Sequence, residues 1–186
     1  PAFADEVREV MHHSFEYMQA PGLDGGSIYL RLTTRALEQP DREMTASLRS
    51  DIVSGGYWHI PPSAATERVI VFMGAIAPEA MAAQVCMGPS TALLQVTSAD
   101  VMCNGWKDHG DASHVSGLLA NVPRDATLVT VLDGHPATLS WMGSVHGLCG
   151  SVARNRRVAD RRVLVIGVLR SCGGGMQQVS GNCELP

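Results

Sequence analysis

Arg68-Val69-Ile70-Val71-Phe72-Met73-Gly74 is a compact apolar run, rich in β-branched residues and stopped by a glycine. Runs of the same kind return at residues 92–97, 128–132 and 163–169, and helix-like patterns fall between them at 78–87, 114–121 and 137–145. A strand with one face in water alternates apolar and polar residues, whereas a continuous apolar run belongs to a strand covered on both faces. Strands of this kind alternating with helices predict an α/β unit over about residues 63–170, a mostly parallel sheet with helices on both faces.

Upstream, Phe3, Val7, Val10, Met11, Phe15 and Met18 recur at the spacing of one helical face. Asp5 and Glu6 fall in the first turn, where the helix dipole favours negative charge. The pattern predicts a helix over 3–19, stopped by Pro21-Gly22 and the turn at Asp24-Gly25-Gly26. Residues 27–33 then alternate, with Ile28, Leu30 and Leu32 opposite Tyr29, Arg31 and Thr33, which predicts a strand. Residues 38–50 are polar and contain Gln39-Pro40-Asp41, so they are expected to be a connection and a domain boundary. Leu48 and Ile52 allow at most a short helix before Gly55-Gly56-Tyr57-Trp58.

The chain has 186 residues, 45% hydrophobic and 17% charged, with mean hydropathy +0.06. These values fit one soluble globular domain, or one plus part of another, and argue against disorder and against a disulfide-stapled miniprotein. No window approaches 18 uninterrupted apolar residues, so no membrane-spanning helix is expected. Charge is uneven: residues 1–150 carry 8 Lys/Arg against 16 Asp/Glu, and residues 151–186 carry 6 Arg against 2 acids, giving −8 and +4. Cys86 and Cys103 lie in the acidic part and Cys149, Cys172 and Cys183 near the end, with no C-x-x-C pair, so neither a zinc site nor a redox motif is encoded. Pro1 opens an ordinary helix pattern rather than a secretory signal, and the expectation is reduced thiols, a cytoplasmic location and a start within a longer protein.

Ligands of open parallel sheets gather at the carboxyl ends of the strands. That directs attention to Gly74-Ala75-Ile76-Ala77, Ser98-Ala99-Asp100 and Asp133-Gly134-His135-Pro136. In the last segment His135 could act as an acid/base oriented by Asp133, or either side chain could cap a helix that starts at Pro136. His12 and Glu16 stand four apart on a helix without a third ligand, so polar surface is the expectation there, as it is for His109 and His114. Met73, Met81, Met87, Met102 and Met142 are expected to fill gaps in the core. No G-x-x-x-x-G-K-[ST] or G-x-G-x-x-G is present. The basic run Arg154, Arg156, Arg157, Arg161 and Arg162 has no interleaved aromatics, so nucleic acid is not an expected partner.

Several landmarks carry a resemblance. The opening Pro1-Ala2-Phe3-Ala4-Asp5-Glu6-Val7-Arg8-Glu9-Val10-Met11-His12-His13 is similar to the last helix of the middle, pyrimidine-binding domain in the homodimeric decarboxylase component of pyruvate dehydrogenase. Ile28 to Thr34 resembles the strand that follows, and Leu48-Arg49-Ser50-Asp51-Ile52 to Gly56-Tyr57 the link into the transketolase-type C-terminal domain. Val71-Phe72-Met73-Gly74, Leu94-Gln95-Val96-Thr97-Ser98, Gly105-Trp106, Ser113-His114-Val115 and the twelve residues from Thr130 to Trp141 resemble successive landmarks of that domain. The likeness is collinear over about residues 1–147. It implies the end of a pyrimidine-binding domain at 1–38, a linker at 39–62, a transketolase C-terminal-like domain at 63–147 and a divergent or frame-shifted tail at 148–186, within which 163–169 could instead be a strand.

The family is an oxidoreductase assembly. Its thiamine diphosphate and Mg²⁺ support decarboxylation of a 2-oxo acid, and the acyl group passes to a dihydrolipoyl acyltransferase partner. The cofactor is held through a G-D-G motif and an activating glutamate, and this chain carries no such motif. The resemblance therefore implies no catalytic, cofactor or metal residue here, no cofactor bound by this chain alone, and a structural role in a homodimer. The alternative is a stand-alone α/β interaction or small-molecule-binding module of the same type.

Overall fold

Hydrogen bonding of the continuous apolar runs to one another removes their backbone polar groups from the core they create. The computed structural model describes residues 1–22, 24–135 and 137–145, together with the backbone of 165–169. Its sheet has five strands: β1 (Gly56–Ile60), β2 (Arg68–Met73), β3 (Thr91–Val96), β4 (Thr127–Leu132) and β5 (Val165–Leu169), in the order β1-β3-β2-β4-β5. β2 pairs in parallel with β3 and β4, while β1 and β5 close the two edges antiparallel. The sheet is thus mixed rather than mostly parallel, with a parallel centre of three strands. The strand alternative for 163–169 agrees with the backbone of β5; the remainder of the tail, with Cys149, Cys172, Cys183 and the arginine run, lies outside the described residues.

Seven helices accompany the sheet among the described residues: α1 (Ala4–Met18), α2 (Ala46–Val53), α3 (Ala77–Met87), α4 (Ala99–His109), α5 (His114–Leu119), α6 (Ala137–Ser140) and α7 (Met142–Val145). The two faces follow from the period of two along each strand. Val69, Val71, Leu94, Val96, Leu128 and Leu132 meet Met102 of α4, Val115 and Leu119 of α5, Leu139 of α6 and Met142 of α7. Ile70, Phe72, Leu93 and Val131 point the other way and meet Ala77 and Ala80 of α3 and Phe3 at the start of α1. Helices cover both faces, as the apolar runs require. Met73, Met81, Met102 and Met142 are packed in these layers, but Met87 is 45% exposed at the end of α3.

One expectation is corrected. Residues 27–33 form no strand: their backbone pairs with no neighbouring strand, and Tyr29 is 87% exposed. Alternation alone does not make a strand when no partner strand supplies the other half of the ladder. Residues 39–62 include the short helix allowed at Leu48 and Ile52, α2, and an unforeseen strand, β1, which belongs to the sheet through the pairs Gly56 with Val96 and Tyr57 with Gln95. α4 is a further helix not anticipated, with the Ser98 hydroxyl accepting from the Val101 N–H at its start.

α1 is buried on an unexpected side. Phe3 is in the core, but the other buried residues of this helix are Glu6, Glu9 and Ser14, while Phe15 and Met18 are 51% and 44% exposed. The buried face is turned away from the apolar stripe, which for its C-terminal half looks outward. Among the described residues no helix is long and apolar enough to cross a membrane.

Candidate functional site

The carboxyl ends of β2, β3 and β4 open into a cleft of about 440 Å³. All three segments that follow these strands contribute: Met73, Gly74 and Ala75 after β2, Thr97, Ser98 and Asp100 after β3, and Asp133 after β4. Gly74 turns the chain out of β2 with φ +74°, a conformation that favours glycine. The opposite wall was not anticipated. It comes from Val10, His13 and Ser14 of α1 and from the irregular residues 28–33. Only the alternation of 28–33 and the stripe on α1 hinted that this part of the chain carries apolar side chains needing a surface.

The polar groups of the cleft divide into satisfied and free. Thr97 donates to the Ile52 carbonyl at 2.6 Å, Ser14 donates to the Val10 carbonyl at 2.6 Å, and Ser98 caps α4. Among the described residues, no hydrogen bond or ion pair engages His13, Arg31, Asp100 or Asp133. Arg31, Asp100 and Asp133 are exposed at the rim, and the interior is largely apolar, with Ile28, Leu30, Ile52, Val53 and Met73. Asp133 and His135 do not form a pair. His135 is exposed, and its Nδ1 accepts from the Ala137 N–H at 3.2 Å, which is the capping role rather than the acid/base one.

Thiamine diphosphate with Mg²⁺ does not fit these residues. A magnesium diphosphate needs converging oxygen ligands for the ion and donors or cations for the phosphates. Among the described residues no three His, Cys, Asp or Glu side chains converge on a metal site, and the cleft offers two carboxylates against Arg31 and His13. His12 and Glu16 stand 3.5 Å apart, both exposed, as a surface pair on α1. His109 is exposed as expected, but His114 is half-buried: its Nε2–H donates to the Gly56 carbonyl at 2.7 Å and ties α5 to β1.

A second polar constellation was not visible in the sequence. Tyr57 on β1 donates to Oε1 of the buried Glu6 at 2.5 Å and accepts from Nη1 of Arg42 at 2.6 Å, with the Gln95 amide 3.0 Å away. Arg42 also forks onto Asp5, at 2.7 and 3.0 Å. Burial raises the Tyr57 pKa, and the neighbouring Glu6 charge raises it further, outweighing Arg42. Burial works against the charge of Arg42, but its bonds to Asp5 and Tyr57 prevail and hold it protonated. The charged groups of the cluster and the Tyr57 hydroxyl are partnered within it, and Gln95 Nε2 is buried without a partner among the described residues. The cluster joins α1, the connection after residue 33 and the sheet.

No family model matches the chain, and no curated protein matches it.

Proposed function

We propose that this chain is the C-terminal region of a thiamine diphosphate-dependent, homodimeric decarboxylase component of the pyruvate dehydrogenase type, where it supports the catalytic domains and the dimer without touching the cofactor. The observation that carries the reading is the outward stripe of α1. Met11, Phe15 and Met18 lie on one side of that helix at i, i+4 and i+7, the last two are half exposed, and Tyr29 and Leu32 of the irregular segment are exposed as well. A helix that buries glutamates inward and leaves phenylalanine and methionine outward has a second apolar surface to meet. In this proposal that surface is the rest of the pyrimidine-binding domain, whose sheet would also supply ladder partners for residues 27–33.

The cleft acquires a meaning on the same reading. One wall is α1 with residues 28–33 and the other is the carboxyl edge of the sheet. On this reading it is an interdomain seam.

The test pairs the 186-residue chain with the complementary N-terminal portion of such a decarboxylase, ending just before the counterpart of Pro1. Co-expression is expected to give a stable complex with pyruvate-dependent reduction of an artificial electron acceptor. The chain alone is expected to show no thiamine diphosphate binding by calorimetry with Mg²⁺ present. Binding by the chain alone, or two folded parts that do not associate, would overturn the proposal.

A further inference from the structure

Residues 35–42 contain no helix or strand, and an irregular connection of this kind is ordinarily the flexible part of a fold. Here it is fastened along its length. Arg35 donates through Nη1 to the Ala75 carbonyl at 2.8 Å and to the Glu79 carboxylate at 2.9 Å, at the start of α3. Leu37 packs against the cluster of Phe3, Ile70 and Phe72. The Gln39 side-chain oxygen accepts from the Ala4 N–H at 2.7 Å, satisfying a donor at the open N-terminus of α1. Arg42 then forks onto Asp5, donates to Tyr57, and lies over the rings of Phe3 and Tyr57, 5.6 and 4.9 Å from their centroids.

We infer that residues 35–42 are a clasped strap that locks α1 onto the sheet, with Arg42 as the clasp. Glu6 is fully buried, with Tyr57, Arg42 and the N–H groups of Ala2 and Phe3 around its carboxylate. Withdrawal of the guanidinium takes from Asp5 its paired cation and leaves the fully buried Glu6 carboxylate with only the Pro1 ammonium nearby, so opening the clasp while α1 stays seated is costly. Strap and α1 therefore open as one unit, below the threshold of global unfolding. The three central strands are bonded to one another independently of the strap, and they stay closed when it opens. The consequence is directional. The outward stripe of α1 is presented at an angle fixed by the sheet rather than by a tether. The inference does not depend on the proposed role in a decarboxylase.

Hydrogen exchange followed by mass spectrometry on the full chain, together with limited proteolysis by a protease of broad specificity, tests it. The backbone N–H groups of residues 36–42 make no hydrogen bond among the described residues, so the strap is followed by its cleavage and α1 by its exchange. In the unsubstituted chain, cleavage within 35–42 is expected to be slow and peptides covering 4–18 are expected to be protected. Arg42→Gln is expected to accelerate both together, by roughly tenfold or more, while peptides covering 68–73, 91–96 and 127–132 keep their exchange rates. Arg35→Gln is expected to speed cleavage near residues 34–37 and to leave the exchange of α1 unchanged. If Arg42→Gln does not fold, Arg42→Lys, which keeps the charge and loses the fork, is expected to give the same pattern at lower amplitude. A strap that is cleaved in the unsubstituted chain as fast as in the unfolded chain overturns the inference. So does an Arg42 variant that speeds strap and central strands equally, or one that leaves α1 unchanged.

Discussion

Tyr57 has one hydroxyl proton and three polar neighbours, and the way that proton is assigned determines what the residue is worth. The charged Glu6 carboxylate takes it at 2.5 Å. Arg42 donates to the phenol oxygen, and Gln95 then contributes with its Nε2 turned toward the same oxygen, which gives that otherwise unpartnered buried group an acceptor. Tyr57→Phe keeps the ring and strips Glu6 of its shortest bond, so a loss of about 2–3 kcal/mol is expected in urea unfolding. A loss near zero would mean that the hydroxyl is not needed to hold the carboxylate. His59 is the neighbouring case, stacked on Phe3 and edge-on to Phe72 at centroid distances of 6.4 and 6.5 Å. Burial first, and the Arg42 charge second, lower its pKa in the folded chain. Between that lowered value and the unfolded value near 6.5, the unfolded chain holds more protons, so this contribution is complete above about pH 6.5 and is lost as pH falls toward the folded pKa. His59→Phe is expected to flatten the decline in stability measured between about pH 7 and pH 5. None of this was legible in the chain order, because Glu6 meets Tyr57 and Arg42 across 51 and 36 residues.

The central elements were legible for a reason that also explains the misses. β2, β3 and β4 are buried on both sides, so their sequences are apolar but for the buried Gln95 and Thr130 within them, and they announce themselves. β1 is an edge strand led by glycine and carrying Tyr57, Trp58 and His59, which has neither a long apolar run nor clean alternation. α4 did carry its signals, a serine cap and Met102 with Trp106 four apart, but they begin directly after β3 and stand on no long apolar stripe. Residues 27–33 gave the opposite error, a strand pattern without a ladder. The turn into β1 shows how tightly an edge can be held. Gly55 has φ +106°, its carbonyl accepts from the N–H groups of Thr97 and Ser98, and a β-carbon there would lie 2.5 Å from Cγ of Met102 and 2.8 Å from the Ser98 carbonyl oxygen. Gly55→Ala is expected to cost about 2–4 kcal/mol, through both the backbone conformation and the displaced Met102. Thermal or urea unfolding measures it, and a cost below about 1 kcal/mol would mean that the turn relaxes freely.

For the molecule as a whole, the carboxyl-edge cleft was foreseen from strand ends alone, since parallel strands deliver their loops to one side whatever their detail. Its second wall was not, because a helix wheel shows which residues are apolar and not which way the helix is turned. That turn is what the outward stripe tests. Phe15 and Met18 contribute little to the chain's own core if they face outward, and glutamine keeps the helical propensity of those positions. Phe15→Gln combined with Met18→Gln is therefore expected to change unfolding free energy by less than about 1 kcal/mol. The same pair is expected to reduce binding of an apolar dye and concentration-dependent association in sedimentation velocity, and to abolish complex formation with the complementary N-terminal portion. The two readouts separate the alternatives. A large loss of stability would mean that the stripe is packed within this chain. Unchanged stability with undiminished association and complex formation would mean that another surface carries the contact, and the stripe would no longer support a place beside a pyrimidine-binding domain.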